Sequence, residues 1–415
     1  MERRENLLST YKGLPREIYI LFLSRVINSI GTFVYPLLAL ILTQKIGLTK
    51  GQAGIFISVL AVSQVPSMLL GGKLVDTLGR KKIVFIFQGL GALSFMLCGF
   101  VKPTMLMAYI IVIASNFYAI SSPAIDAVVA DITTPENRKS SFSLLYMGHN
   151  LGFAIGPILG GLLYKNFLSV VFIGDAVTTI LSIILFVVFI KETMKKKTDS
   201  EVEVVCDSLN ELEKHEEGSV FHVLLSRPIL LYFAFIMFIY QFAYSQWGFT
   251  LPIQMGEVFK DNGSVYYGYV AGFNGVVVIL FTPLVTALIH KISSMKAIAL
   301  GGVLYAVAFG LLGFANWLPV FFISIFIMTI GEIMISINSG TFIANHTPAS
   351  HRGRINSILP IIIGAGYTLG PAVMGNAMGY LGYLLTWSIV AAAVFVGAVF
   401  MRLLEEKEKK ALKSI

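Results

Sequence analysis

Residues 71–82 read GGKLVDTLGRKK and stand between two long apolar stretches. Two glycines, a lone acid at Asp76, a further glycine at Gly79 and then Arg80, Lys81 and Lys82 fill the gap. A basic cluster at the end of an apolar block is what anchors a membrane helix on the cytoplasmic side. Anchoring accounts for the bases but not for Asp76, which weakens such an anchor and therefore needs a partner of its own.

The rest of the chain has the composition that this stretch suggests. Of 415 residues, 56% are apolar and only 13% charged, and the mean hydropathy is +0.79; a soluble globular chain carries about 25% charge. The apolar residues fall in blocks of about twenty, the length that crosses about 30 Å of hydrocarbon. They run continuously instead of alternating with period two, which favours helices over a barrel. The chain is read as an all-α membrane protein.

Twelve spans are predicted, at 18–44, 52–72, 83–101, 104–130, 140–164, 168–190, 228–254, 265–290, 297–315, 318–343, 355–380 and 383–403. With a cytoplasmic N-terminus, 25 of the 31 Lys and Arg fall in cytoplasmic segments and 5 outside, so both termini are expected in the cytoplasm. The first apolar segment follows a polar stretch and lacks a small-residue cleavage site, so a retained span is expected and not a signal peptide. The net charge of +8 resides in connectors, with no nucleic-acid-binding pattern around it. Cys98 and Cys206 make neither a disulfide framework nor a metal site.

The charged segment 191–227 divides two sets of six spans, giving a first bundle at 1–190, a linker at 191–227 and a second bundle with a short tail at 228–415. The linker reads as a solvated connector whose KKK run can lie against anionic headgroups. An offset of 214 residues superposes Ser143 on Ser357, Gly152 on Gly366, Gly156 on Gly370, Pro157 on Pro371, Gly161 on Gly375 and Arg138 on Arg352. Two pseudo-symmetric six-helix repeats are a transporter architecture. At that offset His290 stands opposite Asp76 and Ser294 opposite Arg80, so the charged loop has no counterpart in the second half.

The loop Gly72-x3-Asp76-x2-Gly79-Arg80-Lys81-Lys82, in a chain of twelve spans and two repeats, resembles the signature of the major facilitator superfamily. The resemblance covers essentially the whole chain and implies that superfamily's fold. It implies that Asp76 pairs with Arg80 and faces the N-terminus of the eleventh helix, a latch in which Gly72 and Gly79 shape the turn. A helix N-terminus and a nearby arginine both favour a carboxylate.

A second motif, GHNLGFAIGPILGG, occupies the fifth span. Gly148, Gly152, Gly156 and Gly160 recur every four residues, with Gly161 beside them, and form a smooth ridge for another helix; Pro157 can bend it. It resembles the fifth-span motif of drug/proton antiporters, which implies export. Ordinary small-residue packing explains the ridge equally well.

Acids within spans are costly and usually functional. Glu332, near the middle of the tenth span, is the first candidate for proton coupling, and its IGEIM context resembles multidrug/proton antiporters. Arg25 and Asp126 lie about 10 Å and about 8 Å into the first and fourth spans from one side and can meet. His149 is a second proton-carrying candidate. Asn28, Asn116, Tyr118, Asn150, Gln241, Tyr244, Gln246 and Trp247 are candidate cavity residues, though helix-to-helix hydrogen bonds could account for several of them.

The absence of G-x-x-x-x-G-K-[ST], H-E-x-x-H and G-x-S-x-G argues against an ATP-driven pump and against an enzyme. The expected function is proton-driven export of small amphipathic or drug-like molecules by alternating access, with no cofactor beyond the proton gradient. The alternatives are export of an endogenous metabolite, sugar or glycolipid, or a non-transporting receptor-like relative. The expected setting is the inner or plasma membrane, with a small-molecule substrate and lipids as partners, no nucleic acid, and a monomer as the working unit.

Overall fold

The computed structural model describes residues 11–194, 227–347 and 352–413. The KKK run, Cys206 and nearly all of the predicted linker lie outside them. The described residues are helical, without a strand. Ten stretches are long and apolar enough to cross a membrane, so this is a multi-pass membrane protein. Two of the ten, Pro228–Ile289 and Ile358–Lys410, are 62 and 53 residues long, well beyond the about twenty that one crossing requires.

Each helix begins or stops where the local chemistry dictates. α1 (Arg16–Ile30) gives way at Gly31, and α2 (Val34–Leu40) resumes the same span after a three-residue break. α3 (Lys50–Leu78) runs six residues past the predicted end, because nothing in KLVDTL breaks a helix before Gly79. Gly79 has φ of 97°, a left-handed conformation that only glycine adopts freely. Gly72 and Asp76 are therefore helical residues, and Gly79 makes the turn as expected.

Beyond the turn come α4 (Arg80–Ile83) and α5 (Gly89–Cys98), which a π-turn joins into one stretch. α6 (Met105–Ile132) and α7 (Pro135–Tyr164) follow; Asn137 Oδ1 accepts from the Thr134 amide at 2.9 Å to fasten the start of α7. α8 (Leu168–Phe189) completes the first half. The second half holds α9 (Pro228–Gly248), α10 (Thr250–Phe259), α11 (Gly263–Ile289), α12 (Ser294–Leu312), α13 (Leu318–His346) and α14 (Arg352–Lys413). α14 contains the last two predicted spans, interrupted by non-helical backbone at Gly382.

The chain forms two compact units. The first comprises Met1–Leu48, Val59–Thr198 and Met255–Ile279, and the second Thr49–Ser58, Asp199–Gln254 and Leu280–Ile415. Each takes one stretch from the opposite half of the sequence: Thr49–Ser58, at the start of α3, belongs to the second unit, and Met255–Ile279, from the end of α10 into α11, to the first.

Within the units, the 214-residue offset reappears as contacts. A methyl group at Gly152 would lie 2.7 Å from the Val26 carbonyl oxygen of α1, and one at Gly366 would lie 2.0 Å from the Phe238 carbonyl oxygen of α9. A methyl group at Gly268 would lie 2.4 Å from the Pro157 carbonyl oxygen in the first unit, and one at Gly54 would lie 2.1 Å from the Pro371 carbonyl oxygen in the second. Gly161 against Ser264 and Gly375 against Lys50 repeat the pattern. Side chains facing lipid gain nothing from burial, so such close backbone approach is what holds membrane helices together. The outward apolar residues of α3, among them Val62, Met68 and Leu69, are exposed as lipid contact requires.

Candidate functional site

The loop that opened the sequence has different partners from those expected. Arg80 Nε lies 3.2 Å from Asp131 Oδ2 at the end of α6, and Asp76 is exposed in the last turn of α3. The Asp76–Arg80 pair is thus replaced by Arg80–Asp131. The helix continues through Asp76 and leaves it exposed, while the end of α6 comes alongside α4. The facing N-terminus of the eleventh span adjoins residues 348–351, which lie outside the described residues. Gly72 has open space around its Cα; its neighbour Gly71 packs against α6, where a methyl group would meet the Ile120 carbonyl oxygen at 2.1 Å.

Glu192, just beyond α8, completes this cluster and was not a sequence candidate. Its carboxylate accepts from the Arg80 and Lys81 amides at 3.0 and 3.1 Å, and from Thr193 and Met194 at 3.1 Å each. Thr193 also donates to Asp131 at 2.7 Å. Burial alone would push the Glu192 carboxyl up, but the four backbone donors outweigh it and hold it below the usual Glu range. A depressed carboxyl stabilises the fold above its ordinary value of 4.5 and loses that contribution as pH falls through the lower folded value. Amide exchange at Arg80 and Lys81, corrected for its intrinsic rate, should therefore rise severalfold in Glu192→Gln at neutral pH. The wild type should approach the same rate only at a pH below the ordinary Glu value of 4.5, once its depressed carboxyl is protonated.

In the second unit Glu332 sits at the middle of α13, half-buried, and Tyr244 of α9 donates to its Oε1 at 2.9 Å. With Tyr240, Gln241, Tyr305 and Ser336 they line a cavity of about 90 Å³. The ring of Tyr244 stacks on Tyr305 at 6.1 Å and meets Tyr367 at 6.5 Å. Of the seventh-span candidates, Gln241 and Tyr244 line the cavity, whereas Gln246 and Trp247 do not. Gln246 is fully buried, held by Phe242, Ser245 and Thr250 on its own chain segment, and Trp247 is buried.

In the first unit Arg25, Asn28, Asp126 and His149 line one cavity of about 270 Å³. Arg25 and Asp126 line the same cavity, and no direct pair joins them among the ion pairs of the described residues. His149 Nδ1 lies 2.9 Å from Ser29 Oγ. Asn28 and Tyr118 also line an adjoining cavity of about 220 Å³. Asn116 instead ties α6 to α3 through Ser67 at 2.7 Å and Ser63 at 2.9 Å, and Asn150 is buried, donating to Tyr146 one turn back. The polarity of these side chains made them cavity candidates, but only the rotation of each helix decides which polar group faces a neighbouring helix.

The glycine ridge of α7 faces α1. Methyl groups at Gly148, Gly152 and Gly156 would come within 2.8, 2.5 and 2.7 Å of Phe22, Ser29 and the Ser29 carbonyl. Gly160 lies against Phe33 and Leu37, and Gly161 against Ser264. Pro157 lies inside α7 without ending it.

A family model described as the Major Facilitator Superfamily matches residues 21–309 and 265–415. The chain is 21% identical over 420 residues to a Na(+), Li(+), K(+)/H(+) antiporter of Planococcus maritimus, covering 94% of this chain and 95% of that one. It is 30% identical over 188 residues to the tetracycline resistance protein, class H, of Pasteurella multocida, covering 44% and 46% of the two chains. A 186-residue match to the quinolone resistance protein NorA of Staphylococcus aureus is 25% identical and covers 45% and 48%. The crystal structure of peptide transporter POT in complex with sulfate aligns over 96% of both chains with a TM-score of 0.77 at 16% identity, a likeness of fold. Matched by the family model through almost its whole length, the chain belongs to the Major Facilitator Superfamily and is a membrane transporter, not an enzyme.

Proposed function

We propose that this transporter exports small amphipathic, drug-like molecules, cationic ones above all, in exchange for protons by alternating access. One observation carries the reading: a carboxylate at the middle of a span, enclosed by tyrosines in a small cavity. A charge at that depth is retained only where it is used. Aromatic faces attract cations, so a lipophilic cation and a proton would compete for Glu332, and that competition is the coupling. Relatives named for tetracycline and quinolone resistance and for cation/proton exchange support the direction and the coupling ion.

The relative named as an alkali cation/proton antiporter also supports a second reading, in which Na⁺ or K⁺ is the exported cation. Inverted membrane vesicles with an imposed pH gradient decide between them. Uptake of a fluorescent lipophilic cation that dissipates the gradient supports drug export, whereas gradient dissipation by NaCl or KCl alone supports alkali-ion exchange. A gradient that neither perturbs overturns proton antiport.

In this reading the 62- and 53-residue stretches count as two crossings each, which makes twelve spans in two six-helix bundles joined by the linker. Both termini are cytoplasmic, the site is the cell membrane, the monomer is the working unit, and the proton gradient is the energy source without a cofactor. Gly79, Arg80, Asp131 and Glu192 form the fixed part of a cytoplasmic latch with Asp76 as its movable acid. Asp76→Asn should leave the amount of protein in the membrane unchanged and slow turnover severalfold. Unchanged turnover would reduce the segment to an anchor.

A further inference from the structure

Asp175, in the GDAVTT stretch of α8, is a third acid within a span, beside Asp126 and Glu332. Asp175 is only 7% exposed. Its Oδ2 accepts from the backbone amides of Phe33 and Val34, at 3.3 Å each, where the first span breaks between α1 and α2. Around it α8 follows that break turn by turn. Ser182 Oγ lies 2.7 Å from Ser24 Oγ, Asn28 Nδ2 donates to Thr179 Oγ1 at 3.1 Å, and a methyl group at Gly31 would collide with Thr178. Every rung of this seam except Asp175 is neutral.

Capping a helix start does not require a charge, since Ser, Thr and Asn do it as well as Asp. What a carboxylate adds is the ability to titrate, and inside a membrane that addition is expensive. Asp175 also opens onto the cavity of about 220 Å³, which it shares with Tyr118, Arg25 and Asn28. The Tyr118 hydroxyl is buried there, beside the Thr179 side chain. A polar cavity of that size has room for water. Through Arg25, Asn28 and Gln88 it adjoins the cavity of Asp126 and His149.

We propose that Asp175 is a second proton site of this transporter, in the first unit, and that its protonation state sets the break in the first span. Binding a proton turns the carboxylate into a neutral acid, which is a weaker acceptor for the Phe33 and Val34 amides. The break then loosens and moves Arg25 and Asn28, which lie on the same helix. The charged or titratable groups facing Asp175 are Arg25 from α1, Tyr35 from α2 and Tyr118 from α6; α5 and the turn before it offer the neutral Phe95 and Gln88. The Arg25 guanidinium in the same cavity disfavours an alkali ion as the ligand. The site extends the proton-exchange reading, but its test involves no transport, so the two can fail separately.

The purified full chain in lipid nanodiscs is carried from about pH 9 to about pH 5, a range that covers imidazoles and burial-raised carboxyls and leaves out ordinary Asp and Glu, which titrate at about 4, while infrared difference spectra are recorded. A protonated-carboxyl band that is absent from Asp175→Asn and present in Glu332→Gln is the expected result. Amide exchange over residues 28–37, corrected for its intrinsic rate, should accelerate at least severalfold toward low pH in the wild type and lose that pH dependence in Asp175→Asn. Identical spectra, or identical pH profiles of exchange, in wild type and Asp175→Asn would make Asp175 a fixed cap and overturn the proposal. Should Asp175→Asn not accumulate, the exchange profile is measured in Asp126→Asn, His149→Gln and Glu332→Gln in turn. Persistence of the pH dependence in all three supports Asp175, and its loss in any one overturns it.

Discussion

Glu332→Gln is expected to reach the membrane in normal amount and to lose proton-driven efflux by a factor on the order of 100, the usual scale for removing a proton-transfer group. The substitution retains the shape of the side chain and an oxygen for the Tyr244 hydroxyl, which donates to Glu332 Oε1 at 2.9 Å. What it removes is the charge and the proton. A lipophilic cation should therefore bind much more weakly, while an uncharged analogue of the same size should bind almost as before. Tyr244→Phe separates the parts further: the carboxylate stays, so coupling should survive, with affinity reduced by the loss of one buried hydrogen bond, about 1–2 kcal/mol. Full proton-driven efflux by Glu332→Gln in vesicles would remove Glu332 from the coupling path.

The second large effect concerns packing. Gly152→Val and Gly366→Val should each reduce the folded protein in the membrane severely, because no space exists for the new side chain. The methyl position at Gly152 is already 2.5 Å from Ser29 Cβ, and that at Gly366 is 2.0 Å from a backbone oxygen. Overpacking typically costs about 1–3 kcal/mol even where side chains can yield, and here the obstacle includes backbone, which cannot rotate aside. The loop motif supplies an internal control. Gly71→Ala, aimed at the Ile120 carbonyl, should destabilise, whereas Gly72→Ala, with nothing within 4 Å, should not. Thermal unfolding in detergent, followed by tryptophan emission, measures all four variants on one scale.

The contrast between Gly71 and Gly72 shows where sequence reading stops. Both are glycines in one motif, and only the position of α6 distinguishes them. The 214-residue offset went further. It paired Gly152 with Gly366 and Gly161 with Gly375, and the structure sets each pair against equivalent neighbours. A repeat is legible because each half must solve the same packing problem with the same small residues. The exchange of the α3 and α11 ends between the two units was not legible, since those ends are apolar whichever unit receives them.

Hydropathy by itself determined that the chain lies in a membrane as a series of helices, because about twenty apolar residues with internally satisfied backbone can do little else. The motifs pointed to the superfamily, and the cost of placing ionisable residues in hydrocarbon singled out Glu332, Arg25, Asp126 and His149 as candidates. The partner of each charge was decided only in three dimensions. Arg80 turned to Asp131 instead of Asp76, Glu192 closed the turn from the far end of α8, and Asp175 met a break in a helix some 140 residues earlier in the chain. Charge and depth can be read along a sequence, but a carboxylate binds whichever donor helix rotation and tilt bring within hydrogen-bonding distance, and only the tertiary structure sets those.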